Sequence, residues 1–221
     1  ITALGVTDFS NTYAYTVPSE GNYVVEVFCT DELGNTSDTM GVTDSTDAIA
    51  ADAISKTELT YALTSDGTNI GVKITGYTGN AAVVKLPEVI NHVQVLEIGK
   101  SALANNTTMT TLILPSAIKE IGNGAFAGCT KLASMTLSSA MSVKTYTSSK
   151  SGLATWFGTT ADAAALKTVT FPAAITSVGA YLLADDAHAS GITKVVLPNT
   201  VETISEGAFK GLTSLSEMTT F

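Results

Sequence analysis

Apolar residues recur along the last three quarters of this chain at fixed offsets. Trios spaced i, i+3, i+5 occur at Met109, Leu112, Leu114, at Leu132, Met135, Leu137, at Leu166, Val169, Phe171 and at Ile192, Val195, Leu197. The last two members of each trio alternate with polar residues, which predicts a short, half-buried strand. Proline follows that strand in four units, as Pro87, Pro115, Pro172 and Pro198. With no amide hydrogen and a fixed φ, it ends the strand at the same point each time. A second apolar pair comes next (Val95 and Ile98, Ile118 and Ile121, Ile175 and Val178, Val201 and Ile204). It is followed by a small or aliphatic residue beside a bulky one: Ala102-Leu103, Ala125-Phe126, Leu182-Leu183 and Ala208-Phe209.

Five such units, repeating at roughly 23 to 34 residues, predict a solenoid in which no unit buries its own apolar side and each leans on its neighbours. Stacking the units puts Leu103, Phe126, Phe157, Leu183 and Phe209 in one internal column, with Trp156-Phe157 filling the slot in the irregular third unit. The segment around each bulky residue is long enough for one helical turn and too short for a three-turn helix.

Strand alternation also predicts what faces out. One outward column reads Val83, Thr111, Ser134, Thr168, Lys194, Glu217 and the other Lys85, Ile113, Thr136, Thr170, Val196, Thr219. Parallel strands at about 4.8 Å make this a face about 24 Å long. It is mostly hydroxyl-bearing, and Thr111, Ser134, Thr136, Thr168, Thr170, Lys194 and Val196 form the candidate binding face. Tyr146, Tyr181 and Trp156 lie elsewhere in the coil, which counts against a sugar platform of stacked rings, and the face holds no acid pair for glycoside hydrolysis.

Units three and four depart from the pattern together. Nine positions separate Phe157 from Leu166 and Leu183 from Ile192, where six separate Phe126 from Leu132 and Phe209 from Leu215. Unit three also has Ser138 in place of proline and a Ser-, Thr- and Lys-rich stretch over residues 142–152. Extra residues on one flank predict a local bulge, read as repeat drift in preference to a binding loop.

The motifs carry a resemblance. Leu114-Pro115, Ile121-Gly122, Ala125-Phe126 and Gly128-Cys129, echoed by Leu197-Pro198, Ile204, Ala208-Phe209 and Gly211, resemble the leucine-rich repeats of the BspA-like type. Residues 59–95 are similar to the segment that opens such arrays, so the resemblance spans about Leu59 to Phe221. It implies a repeat solenoid of α/β type, with short parallel β-strands and short helical or 3-10 turns. It further implies a noncatalytic adhesion or recognition protein on a bacterial cell surface, in some members associated with host extracellular-matrix proteins. A structural spacer that displays other domains is the alternative.

Ahead of the repeats the composition changes. Residues 1–57 hold nine acidic side chains, from Asp8 to Asp52, against Lys56 alone, so −8 of the formal −9 sits there. Alternation over Tyr23 to Thr30, a DELGNTS turn and a strand near Thr39 to Val42 are similar to the closing hairpin of bacterial immunoglobulin-like or fibronectin-like modules. About three strands are present where such a sandwich needs roughly seven, so residues 1–43 read as a partial all-β, Ig-like segment. Residues 44–57 read as a linker and 58–221 as the solenoid, with an opening segment at 58–82 and about five repeats over 83–221.

Composition narrows the functions further. Arginine is absent and the lysines are scattered, which excludes a basic stripe for nucleic acid. No apolar run approaches the length of a membrane span, and the start at Ile1, that of a mature or trimmed chain, does not argue for the cytoplasm. Cys29 and Cys129 each read as a small hydrophobe in a separate core, not as a disulfide. Gly122-Asn123-Gly124-Ala125-Phe126-Ala127 fits GxGxxA, but the same register reads SEGAFK in unit five, so the glycines belong to the coil and not to a dinucleotide site. His188 beside Asp185 and Asp186 is the nearest approach to a metal-ligand group, and a solvated loop accounts for it. Asp31, Glu32, Asn35 and Asp38 cluster at a turn with spacing unlike a calcium loop. No Ser, His and Asp set shares a face, His92 included. The expectation is a binding module that recognises a protein, such as a host extracellular-matrix protein, or a glycan through the solenoid surface, with no catalytic residues, no metal and no cofactor.

Overall fold

The computed structural model describes residues 53–91, 93–159, 163–185 and 190–221, together with the strands β1 (Val24–Val27) and β2 (Met40–Thr43). The chain divides into two compact units, Ile1–Thr46 and Asp47–Phe221. In the first, β1 and β2 pair antiparallel, Val24 opposite Thr43 and Val27 opposite Met40. These are two of the strands expected from alternation. The remainder of the Ig-like segment, Cys29 and the acidic turn at 31–38 lie outside the described residues.

The second unit begins inside the stretch read as a linker. Ile54 is buried and its amide donates to Lys85 O (2.9 Å), and a 3-10 turn at Lys56–Glu58 follows, its first turn capped by the Ser55 hydroxyl. Residues 53–57 are therefore docked onto the solenoid. β3 (Leu59–Ser65) and β4 (Ile70–Tyr77) form a hairpin. Its turn is set by Asp66, whose Oδ1 accepts from the amides of Thr68 and Asn69 (2.8 and 2.7 Å), with Gly67 at φ +89°. A short acceptor side chain and a residue free of Cβ are what such a reversal needs.

Coils then follow. After β5 (Val83–Lys85) come β6 (Val89–Ile90), β7 (Val93–Ile98), β8 (Thr111–Ile113), β9 (Glu120–Ile121) and β10 (Ser134–Thr136). Two short helices, α1 (Ser139–Ser142) and α2 (Gly152–Phe157), precede β11 (Thr168–Thr170), β12 (Ser177–Val178), β13 (Lys194–Leu197), β14 (Thr203–Ile204) and β15 (Glu217–Thr220). The first strand of each coil joins one parallel sheet in the order β15-β13-β11-β10-β8-β5. Its inward column, Val84, Leu112, Met135, Val169 and Val195, is fully buried. The second apolar pair of each coil builds the other wall: β4 pairs with β7 and β7 with β9 in parallel, β6 folds back on β7, and β12 pairs with β14.

Close stacking explains the small residues. A Cβ on Gly122 would collide with the backbone of Gly99 and Lys100 in the preceding coil, which is why glycine follows Ile121. The residue ahead of each small-bulky pair is left-handed: Ser101, Gly124, Tyr181 and Gly207 have φ of 55°, 64°, 50° and 62°. Two coils meet that backbone requirement without glycine.

Coil three differs from the expected single slot. Ser138, where other coils have proline, is the N-cap of α1: its hydroxyl accepts from Met141 N (3.1 Å) and donates to Ile118 O (2.6 Å). The bulky slot is filled twice. Leu153 N donates to Leu182 O in coil four, while Phe126 N of coil two donates to Trp156 O. α2 thus presents Leu153 to the coil after it and Phe157 to the coil before it. Four helical residues rise about 6 Å, slightly more than one strand spacing. The insertions after Phe157 and Leu183 fall largely on residues 160–162 and 186–189, outside the described residues.

Candidate functional site

The parallel sheet puts the two predicted outward columns in register. Val83, Thr111, Ser134, Thr168, Lys194 and Glu217 pair in sequence, as do Lys85, Ile113, Thr136, Thr170, Val196 and Thr219. The side chains from Thr111 to Val196 are all half-buried, as a flat ladder requires. One position upstream, the hydroxyls of Thr110, Thr193 and Ser216 donate to carbonyls of the preceding coil (Ala82, Lys167 and Thr193). By contrast, the hydroxyls of Thr111, Ser134, Thr136, Thr168 and Thr170 take part in no hydrogen bond among the described residues. Charge is confined to the margins, with Lys85 at one end and a Lys194–Glu217 ion pair (2.6 Å) at the other.

Of the predicted spine, Leu103, Phe126, Phe157 and Leu183 are buried and Phe209 is half-buried. Phe126 and Phe157 meet edge to face at 5.7 Å, and Phe209 meets Phe171 at 6.2 Å. Backbone bonds from Leu103 N to Ala125 O and from Leu183 N to Ala208 O hold neighbouring members in line. The four buried members are closed to a ligand.

A second surface was not read from the sequence. On the other wall, Lys73, Glu97 and Glu120 occupy one column. Lys73 pairs with Glu97 (2.8 Å), Lys144 with Glu120 and Lys119 with Asp66, and the Thr64 hydroxyl donates to Glu97 Oε2 (3.0 Å). A groove of about 310 Å³ runs between the β3–β4 turn and these side chains. Lys119, then the amides of Asn69 and Thr68, hold the Asp66 carboxyl well below the usual carboxylate range. Three lysines and three carboxylates neutralise one another here. The available signal was the acidic residue just before the second apolar member of the pair, Glu97 before Ile98 and Glu120 before Ile121.

On the flank of coil three, the Trp156 indole donates to the Tyr146 hydroxyl (3.0 Å), and the Lys144 ammonium lies 5.9 Å from the Tyr146 ring centre. Burial pushes the Tyr146 phenol well above its ordinary range, against the effect of the indole bond. Cys129 is a free thiol, buried, donating to Leu103 O (3.1 Å), and burial pushes it up to about 11.

The other candidates resolve in part. Asp185 is buried, its Oδ2 accepting from Ser190 N (2.6 Å), rather than solvated as expected; Asp186, His188 and His92 lie outside the described residues. Among the described residues, no group of three or more His, Cys, Asp or Glu side chains is placed to hold a metal ion. Gly122 to Ala127 form a coil turn bonded to α2, with no long helix behind them. No described helix is long and apolar enough to cross a membrane.

Residues 45–157 and 160–220 match, in six copies, a family described as the BspA type leucine rich repeat region. The match begins within the stretch read as a linker and counts one copy more than the five units read from the sequence. The crystal structure of a leucine-rich repeat protein of T. pallidum is similar at 27% identity and a TM-score of 0.53, over 75% of this chain and 70% of that one. A leucine-rich repeat protein from Bacteroides ovatus matches at 24% identity and TM-score 0.45, over 76% of this chain and 41% of that one. A leucine-rich cell surface protein from Faecalibacterium prausnitzii matches at 22% and 0.41, over 76% and 54%. No curated protein matches.

Proposed function

The chain belongs to the BspA-type leucine-rich repeat family, and from that premise we propose that its solenoid is a noncatalytic binding module of a bacterial cell surface, which holds an extended protein segment along the strand face. The observation that carries this reading is the pair of in-register columns in which the hydroxyls of Thr111, Ser134, Thr136, Thr168 and Thr170 take part in no hydrogen bond among the described residues. Each hydroxyl can donate and accept, and each bond to a partner contributes about 0.5–1.5 kcal/mol net. Because the backbone ladder already fixes their spacing, binding orders little on this side. Charged only at its margins, mostly polar and free of rings, the face suits main-chain amides better than sugar rings. Extracellular-matrix proteins are the partner class that the family resemblance favours.

The test is surface plasmon resonance of the full chain against panels of extracellular-matrix proteins and of glycans. Saturable binding to a matrix protein that disappears in Thr136→Lys combined with Thr170→Glu is the expected result. Binding that survives this change removes the strand face, binding to glycans alone removes the protein partner, and no saturable binding to either panel favours the spacer.

A further inference from the structure

The hydroxyls of the strand face form a lattice with two spacings. Along the solenoid, Thr111, Ser134 and Thr168 follow one another in register, as do Thr136 and Thr170, at about 4.8 Å per coil. Across it, the two columns stand two residues apart on each strand, about 6.7 Å. The second column is flanked by apolar side chains, Ile113 before Thr136 and Val196 after Thr170. All of these side chains are half-buried and none is charged.

These spacings discriminate among the backbones a partner can present. A segment running along the solenoid passes from Thr111 to Thr168, two coils on, in about 9.6 Å. A polyproline II helix repeats every three residues at about 3.1 Å each, so its residues i and i+3 turn the same side to the face about 9.3 Å apart. A β-extended segment does so every two residues, about 6.7 Å, which falls between the first and second coil steps. An α-helix repeats at about 5.4 Å, and its carbonyls are already bonded within the helix.

The chemistry points the same way. A polyproline II backbone has no internal hydrogen bonds, so its carbonyls are free acceptors. Proline brings no amide donor of its own, and a threonine hydroxyl beside it has only to donate. The threonine methyl groups, with Ile113 and Val196, give proline rings apolar contact. The face lacks the aromatic rings that usually grip this conformation, so the contact depends on the hydroxyls.

Resting on the strand face as the binding surface, we infer that the segment it takes is an uncharged, proline-rich one in the polyproline II conformation. It lies along the solenoid across β8, β10, β11 and β13, with its carbonyls on the hydroxyls of the two columns.

Calorimetric titration of the full chain with a capped decaproline peptide, up to millimolar concentration, tests this. A Gly-Ser peptide of equal length is the control, since it offers the same carbonyls without the fixed conformation. Saturable binding of decaproline, at least about tenfold tighter than of the control, is expected. Thr136→Val with Thr170→Val keeps shape and β-branching, removes two hydroxyls and should weaken it by about tenfold. Thr168→Val, in the other column, should weaken it by about threefold and gives a reading even if the double variant unfolds. No binding of decaproline, equal binding of the two peptides, or affinity unchanged in the folded variants would overturn the inference. A matrix protein that Thr136→Lys with Thr170→Glu releases, but that decaproline does not displace, would overturn polyproline II recognition alone and leave the strand face standing.

Discussion

Coil two (109–131) and coil three (132–165) contribute the same strand and different flanks. Leu112, Met135 and Val169 are all buried, and β8, β10 and β11 pair without a slip. Behind the strand, coil two makes one tight turn around Ala125-Phe126, while coil three inserts two helical segments and meets its neighbours at two separate points, Leu153 and Phe157. A strand in mid-sheet is bound on both edges, and a one-residue slip would turn its whole apolar set outward. The flank has only to fill a volume and satisfy the amides beside it, which a helix with Leu and Phe at i and i+4 does as well as a turn. Repeat drift therefore collects on the flank.

The strongest way to break this comparison is at the point where the two coils touch. Phe126→Ala and Phe157→Ala should each cost about 3–5 kcal/mol, since both rings are fully buried and leave a cavity. Their edge-to-face contact predicts that the double variant loses less than the sum, by a coupling of about 0.5–1.5 kcal/mol. Urea unfolding of the four proteins measures it. Strict additivity would show that α2 does not support coil two.

How much of this is legible in the sequence follows from the same distinction. The inward column and both outward columns can be read position by position, because strand alternation has a period of two and the trios repeat without gaps. The left-handed slot is hidden in two coils, where Ser101 and Tyr181 occupy it instead of glycine. Coil three misleads for a related reason. Trp156-Phe157 looks like the usual pair, and only the i, i+4 spacing of Leu153 and Phe157 hints that the slot is used twice. The candidate face was visible as residues, but the freedom of its hydroxyls was not, because Thr110 and Thr111 look alike in sequence and only the hydroxyl of the first bonds across the coils. The charged column needs β4, outside the regular repeats, as its first member, and so lay beyond any repeat alignment.

A second difference between the coils is chemical and reads out with pH. In coil two the buried Cys129 thiol is raised from 9.0 to about 11. The folded state thus holds the neutral thiol after the unfolded chain has begun to ionise. Stability is fully present below the unfolded pKa and falls as pH rises towards 11, by up to about 2–3 kcal/mol. Cys129→Ala should flatten this loss between pH 9 and 10. A decline would remain above that window from Tyr146 of coil three, which burial shifts in the same direction from 10.0. Equal slopes in the two proteins would show that the thiol is not held neutral.

Ser138 is what lets coil three leave the pattern, since it caps α1 and closes onto coil two through Ile118 O. Ser138→Ala removes both bonds from a buried site and should cost about 1–2 kcal/mol. The equivalent position in coil two, Pro115, has no such role, so Pro115→Ala should cost less. A larger loss at Pro115, measured by thermal unfolding, would invert the assignment of which coil depends on its post-strand residue.

The smallest expected effect lies on the strand face, where the two coils are most alike. Thr136 and Thr170 stand side by side on β10 and β11, half-buried, and their hydroxyls leave no buried partner behind when removed. Thr136→Lys with Thr170→Glu should change stability by no more than about 0.5 kcal/mol, as surface substitutions usually do, with the opposed charges across the strands offsetting the lost β-branching. A loss of about 2 kcal/mol or more in thermal unfolding would mean that this hydroxyl ladder stabilises the sheet itself. The columns would then be part of the scaffold in the same sense as Met135 and Val169, and a partner could bind there only by competing with the fold.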